Sequence, residues 1–244
     1  MGKSWKIVLV ISLVGYLAAG YAAYKAIMYR TYINYWLDKY QAVVSEFSGR
    51  DVYAGENESL RSPVQVSRRV VFVGTQVTRS WDLKKYLPDF EPVNRGIVGQ
   101  RVSGFVLRFV PDVIELGPQA VVVEISSYNF RPQWPVKETQ DYVSQMADLA
   151  RSHDIRPILA TVIPPRKGVE DLGPYAIMDS LAAFNNWLRS YCQAGKIACV
   201  DFDRLLSGAD GRLREELSFD AIDPNAEGYR VMSDAVRQVL DSLR

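Results

Sequence analysis

Val70-Val71-Phe72-Val73-Gly74-Thr75-Gln76-Val77-Thr78-Arg79-Ser80-Trp81 is the stretch that decides the fold. Four apolar residues without a polar alternation read as a strand buried on both faces. Gly74 ends the run, and the hydroxyls of Thr75, Thr78 and Ser80 supply turn and N-cap chemistry. A helix is predicted over residues 78–87, stopping before Pro88. The alternation then repeats downstream. Strands are predicted over 92–95, 120–125, 156–163 and 197–201. Helices are predicted over 102–114, 137–153, 175–193 and 226–243. Val102, Phe105, Val106, Phe109 and Val113 share one helical face, as do Tyr142, Met146, Leu149 and Ala150. Apolar strands separated by helices imply an α/β domain whose parallel sheet is covered on both sides. In such sheets function gathers beyond the carboxyl ends of the strands.

Upstream the character changes. Ile7 to Tyr24 carries no charge, and the apolar pattern continues through Ala26-Ile27-Met28. At about 1.5 Å per residue this is long enough to span a bilayer core, with Lys25 placed to snorkel. The length and the helical continuation favour an uncleaved anchor over a signal peptide. Tyr29, Tyr32, Trp36 and Tyr40 fall on one stripe, and with Tyr21 and Tyr24 they form either an interfacial aromatic belt or a surface for other membrane helices. Ala18, Ala22 and Ala26 make a small-residue ridge, and Gly15 with Ala19 another. Lys3 and Lys6 precede the span while Lys25 and Arg30 follow it; the short basic tail tips the expectation toward an extracytoplasmic, periplasmic domain. Residues 1–48 are thus read as anchor and extension, 49–68 as a polar linker, and 69–244 as the folded domain. A net charge of +1 argues for no nucleic acid partner. The two cysteines, Cys192 and Cys199, are either buried thiols or a short-range disulfide.

Four segments of the domain resemble the SGNH/GDSL hydrolase family over about residues 69–243. They are Gly74-Thr75-Gln76, where the family has Gly-Asp-Ser; Asn94-Arg95-Gly96-Ile97-Val98-Gly99; Val121 to Asn129, where the family has an apolar strand and Gly-x-Asn-Asp; and Asp220-Ala-Ile-Asp223-Pro224-Asn225-Ala226-Glu227-Gly228-Tyr229, where it has Asp-x-x-His and Pro-Asn-x-x-Gly-Tyr. The last is the most specific. The resemblance implies a three-layer, flavodoxin-like parallel sheet. It also assigns family positions: Gln76 to the nucleophile, Asp223 to the base, Asp220 to the residue that orients it, Tyr128 to the oxyanion Asn and Gly99 to a backbone oxyanion donor. A register shift of one would put Asn129 in place of Tyr128.

The chemistry of these positions is poor for hydrolysis. A carboxamide is no activated nucleophile. An aspartate with an ordinary pKa near ~3.9 is a weak base. His153, the single histidine, closes a helix on the far side of the sheet and reads as a capping or surface residue. Asp220 and Asp223 offer too few ligands for Mg²⁺ or Ca²⁺, so no metal and no cofactor is expected. The favoured reading is a membrane-anchored pseudoenzyme, an accessory or scaffold subunit of a larger membrane complex serving envelope polysaccharide, electron transfer or photosynthesis. The alternatives are an esterase or O-acetyl transferase on envelope glycans with an atypical site, and a glycan- or lipid-binding module using Tyr128, Trp134 and Tyr175.

Overall fold

The computed structural model describes residues 2–46, 48–130, 134–166 and 177–243. It divides into two compact units, Met1–Phe47 and Ser48–Arg244. The first is a single helix, α1 (Lys3–Glu46). Its stretch Trp5–Leu37 has a mean hydropathy of 1.9 and no buried residue, so by length and composition it can cross a membrane. Tyr21, Tyr24, Tyr29, Tyr32, Trp36 and Tyr40 are all exposed on it, and Tyr32 meets Trp36 edge-on.

The second unit contains α2 (Ala54–Leu60), β1 (Val66–Gly74), α3 (Gln76–Arg79), α4 (Leu83–Tyr86), β2 (Glu91–Gly96), α5 (Val102–Asp112), β3 (Pro118–Val123), α6 (Val136–Arg151), β4 (Arg156–Ala160), α7 (Met178–Gly195), β5 (Ala198–Val200), α8 (Phe202–Leu206) and α9 (Ala226–Ser242). The strands form one parallel sheet in the order β2-β1-β3-β4-β5, the flavodoxin-like order. Period-two alternation sorts its side chains into two cores. Val71, Val73, Val121, Val123 and Leu159 pack with Phe105, Phe109, Met146 and Leu188. Val70, Phe72, Val122 and Ile158 pack with Trp81, Phe202, Met232 and Val236. Burial on both faces explains why the central strands show no polar positions.

Several predicted boundaries move. The helix expected over 78–87 is two short turns, because Asp82 interrupts it and caps the second by accepting from the Lys85 N–H. The strand expected to reach Ile163 ends at Ala160, and beyond it Thr161 donates from its hydroxyl to Asp201. The helix expected from Tyr175 is described only from Met178, and Tyr175 lies outside the described residues. Cys192 and Cys199 are free thiols in hydrogen-bonding contact with each other.

The largest correction concerns residues 49–68, read as a linker. This stretch holds α2 and the first residues of β1. Its polar composition hid two anchors. Tyr53 is buried and donates to the Gly96 carbonyl at 2.5 Å. Asn57 is buried too; it donates to Asp112 at 2.6 Å and accepts from Arg95 at 2.9 Å. Asp112 also pairs with Arg108 at 2.6 Å, both with no solvent exposure. Burial pulls both guanidinium groups below their ordinary pKa. The same contacts blunt the open edge of the sheet. Pro92 lacks an N–H, the Asn94 side chain accepts from Gly96 N, and Arg95 donates to the Asn94 carbonyl, so few edge groups remain to pair with another strand.

Asn57→Ala would leave a buried carboxylate and a buried guanidinium each short of a partner. It is expected to lower stability by about 2–3 kcal/mol, read by denaturant unfolding of the full chain. A linker residue would change it by less than about 0.5 kcal/mol.

Candidate functional site

The site is built at the carboxyl end of β1. Gly74 is required there by contact: a Cβ would lie 2.1 Å from Thr78 Oγ1 and 2.5 Å from Glu124 Oε2. Glu124 follows β3 and is buried. Its carboxyl accepts from the Thr75 N–H at 2.8 Å, the Thr75 hydroxyl at 3.0 Å and the Thr78 hydroxyl at 2.9 Å. Burial pushes the Glu124 carboxyl above the usual carboxylate range, and the threonine donors pull against that shift. These bonds fix the turn from β1 into α3. Sequence reading passed over Glu124, although one charged residue inside Val121-Val-Val-Glu-Ile125 was a visible signal.

The turn presents Gln76, half-buried at the first position of α3. Its amide nitrogen lies 3.5 Å from the Ser126 hydroxyl, and the side chain also bonds toward the Asp223 carboxyl. The positions that the family resemblance assigns to nucleophile and base therefore do face each other, as a carboxamide and a carboxylate. Asp220 is exposed. It orients the loop by accepting from the N–H groups of Ile222 and Asp223, each at 2.9 Å. Burial, and then the charge of Asp220, push the Asp223 carboxyl up to about 6. Tyr229, whose hydroxyl donates to the Val77 carbonyl at 2.9 Å, is held above its ordinary pKa by burial and then by Asp223.

The remaining family positions separate into structural and open ones. Gly99 has φ +69°, is exposed, and its N–H is bonded to no group of the described residues. Tyr128 is half-buried with its ring edge-on to Trp134, at 5.5 Å between centroids, and Trp134 lies under the Arg101 guanidinium at 4.0 Å. Asn129 does not take the oxyanion place. It is buried, accepts from the Val102 N–H at 3.0 Å and so caps α5. Asn225 caps α9 through the N–H groups of Glu227 and Gly228, and a Cβ on Gly228 would lie 2.5 Å from the Leu217 carbonyl. Asn94 donates to the Thr78 carbonyl at 2.6 Å, and a Cβ on Gly96 would meet the backbone of Arg79 at 2.2 Å. The motif residues that persist thus do packing and capping work. His153 is exposed beyond α6, at the opposite end of the sheet from Gln76. Among the described residues no three His, Cys, Asp or Glu side chains gather as a metal ion would need.

A five-stranded parallel sheet of this order, with a strand–turn–helix at β1 facing a loop before the closing helix, is the architecture of the SGNH-type hydrolases. The chain belongs to the GDSL-like lipase/acylhydrolase family, whose model matches residues 73–231. A GDSL-like lipase from Bacteroides thetaiotaomicron is 28% identical with a TM-score of 0.73, covering 82% of this chain and all of that one. A protein from Bacteroides fragilis assigned as an acylhydrolase is 30% identical with a TM-score of 0.70, covering 79% of this chain and 96% of its own. A protein from Desulfitobacterium hafniense assigned to the G-D-S-L lipolytic family is 26% identical with a TM-score of 0.61, over 71% and 99%. No protein of curated function matches.

Two outcomes test the site's electrostatics. Glu124→Ala strands a buried N–H and two hydroxyls and opens a cavity, so it should cost roughly 3 kcal/mol or more in unfolding experiments, with Glu124→Gln costing much less. Asp223 has a folded pKa of about 6 against a reference of 3.8. Its ionisation therefore opposes folding above that pH, and the penalty disappears where both states are protonated. Asp223→Asn should raise the melting temperature near pH ~7.5, and the gain should fade as pH drops through 6 and vanish near pH ~4.

Proposed function

We propose that the chain is a membrane-anchored, non-catalytic member of its family, an accessory or scaffold subunit of a larger membrane complex. The observation that carries this reading is the Gln76–Asp223 pair. Acyl transfer through a serine needs a hydroxyl activated by a base that takes its proton and returns it. Here an amide stands against a carboxylate, and neither can become an alkoxide. Removing nucleophile or base from a serine hydrolase costs on the order of a millionfold in turnover, and both positions differ. The residues that persist are the ones that hold the fold, which is what a scaffold retains. The apolar α1, with its stripe from Tyr21 to Tyr40, supplies an anchor and a surface able to meet other membrane helices. In this reading the folded domain stands outside the cytoplasm, in a periplasmic compartment.

One observation favours the alternative, an esterase or O-acetyl transferase acting on envelope glycans. A carboxyl pushed up to about 6 is better matched to proton transfer near neutral pH than an ordinary aspartate. Full-length protein, extracted in mild detergent, should copurify with a defined membrane partner and hydrolyse aryl acetates no faster than Gln76→Ala and Asp223→Ala variants. Turnover that both substitutions abolish would establish the enzyme and sink the scaffold reading.

A further inference from the structure

A groove of about 410 Å³ opens beside the Gln76–Asp223 pair, lined among others by Ser80, Asp82, Tyr86, Phe219, Asp223 and Tyr229. Its lining includes no lysine or arginine. Phe219 stands 79% exposed at this rim, an unusual place for a large aromatic side chain with no packing role. Asp223 is short of partners. Its Oδ1 is shielded from bulk water and receives no hydrogen bond, and neither it, Asp220 nor Asp82 forms an ion pair among the described residues. Three neighbouring cations are engaged elsewhere, Arg166 with Glu215, Arg230 with Glu227 and Asp234, and Arg237 with Asp89, while Lys85 stands at the rim over the Tyr86 ring. The carboxylates of Asp82 and Asp223 thus line, without an ion pair among the described residues, a groove that also presents the rings of Tyr86, Phe219 and Tyr229.

That combination selects for a particular chemistry. Anions are repelled by the two carboxylates that line it, Asp82 and Asp223. A metal ion lacks a third protein ligand among the described residues. An organic cation gains both from the carboxylate and from the aromatic rings. Such a contact already exists at this rim, where the Lys85 ammonium sits 5.2 Å from the centre of the Tyr86 ring. Unfilled acceptor capacity on Asp223 asks for N–H donors, which a quaternary ammonium does not have.

We infer that this groove binds a primary ammonium group, held by the Asp223 carboxylate, with the attached carbon chain lying against Phe219 and Tyr86. The ligand is a small alkylamine or the amine headgroup of a lipid, and the inference stands whether or not the neighbouring site turns over substrate.

Full-length protein in a maltoside detergent, titrated with n-butylamine and with ethanolamine, should show a saturable rise in melting temperature and saturation-transfer NMR contacts to the ligand. Affinity should fall roughly tenfold or more for tetramethylammonium, and equally for Asp223→Asn, as expected on losing a charge-assisted hydrogen bond. Phe219→Ala, a change at an exposed side chain, should weaken n-butylamine more than ethanolamine. Competition of n-butylamine by nanodiscs of phosphatidylethanolamine and not of phosphatidylglycerol would place the ligand on a lipid; absence of competition by either would place it in solution. Equal binding of neutral 1-butanol, unchanged affinity in Asp223→Asn, or no response to either amine would each overturn the proposal.

Discussion

The enclosed carboxyl of Glu124 is the contact on which the functional face of this domain rests. It joins the ends of the two central strands, β1 and β3, by gathering one backbone N–H and two threonine hydroxyls. Each of those groups would otherwise be a buried polar atom without a partner, at a cost of about 1–3 kcal/mol apiece. Because the bonds reach Thr75 and Thr78, they set where α3 begins and so where Gln76 points. They also forbid any side chain at position 74. The turn that family resemblance associates with a nucleophile is therefore held by a group that takes no part in a nucleophilic mechanism.

This separation between scaffold and chemistry runs through the domain. Asn94, Gly96, Asn225, Gly228 and Tyr229 each satisfy a backbone group or permit a close approach. Losing any of them would expose an unmet hydrogen bond or force two backbones apart. Positions 76 and 223 carry no such burden, since Gln76 is half-buried and Asp223 has an acceptor to spare. Their side chains hold no buried backbone group of the described residues in place. The shifted carboxyl at 223 fits the same picture: nothing in the described structure neutralises it, so burial and Asp220 act unopposed except by one amide.

The fold was legible in the chain because its evidence is local. Runs such as Val70–Val73 and Val121–Val123 must be buried on both faces, and the amphipathic helices between them have one place to go. The site was legible only in part. Gln76, Asp220 and Asp223 could be placed by motif, and the structure brings Gln76 and Asp223 together. Asn129 stood one register step from the oxyanion place given to Tyr128, yet capping α5 claims it. Glu124 and Asn57 were missed because their partners lie 38 or more residues away in the chain, and pattern reading registers a buried polar residue only as an interruption.

From its residues alone, then, the protein is an α/β chain of this hydrolase family with an apolar helix ahead of it, an amide at one key position and a carboxylate at the other. Periodicity and side-chain chemistry decide those points, and both are properties of the sequence itself. The tertiary structure alone decided that residues 49–68 belong to the domain, that a groove with aromatic rings and no lysine or arginine in its lining adjoins Asp223, and that burial and Asp220 push this carboxyl up to about 6. Those outcomes depend on which distant groups share a low-dielectric space, and charge, solvation and hydrogen bonding are set there by proximity in three dimensions and not by order along the chain.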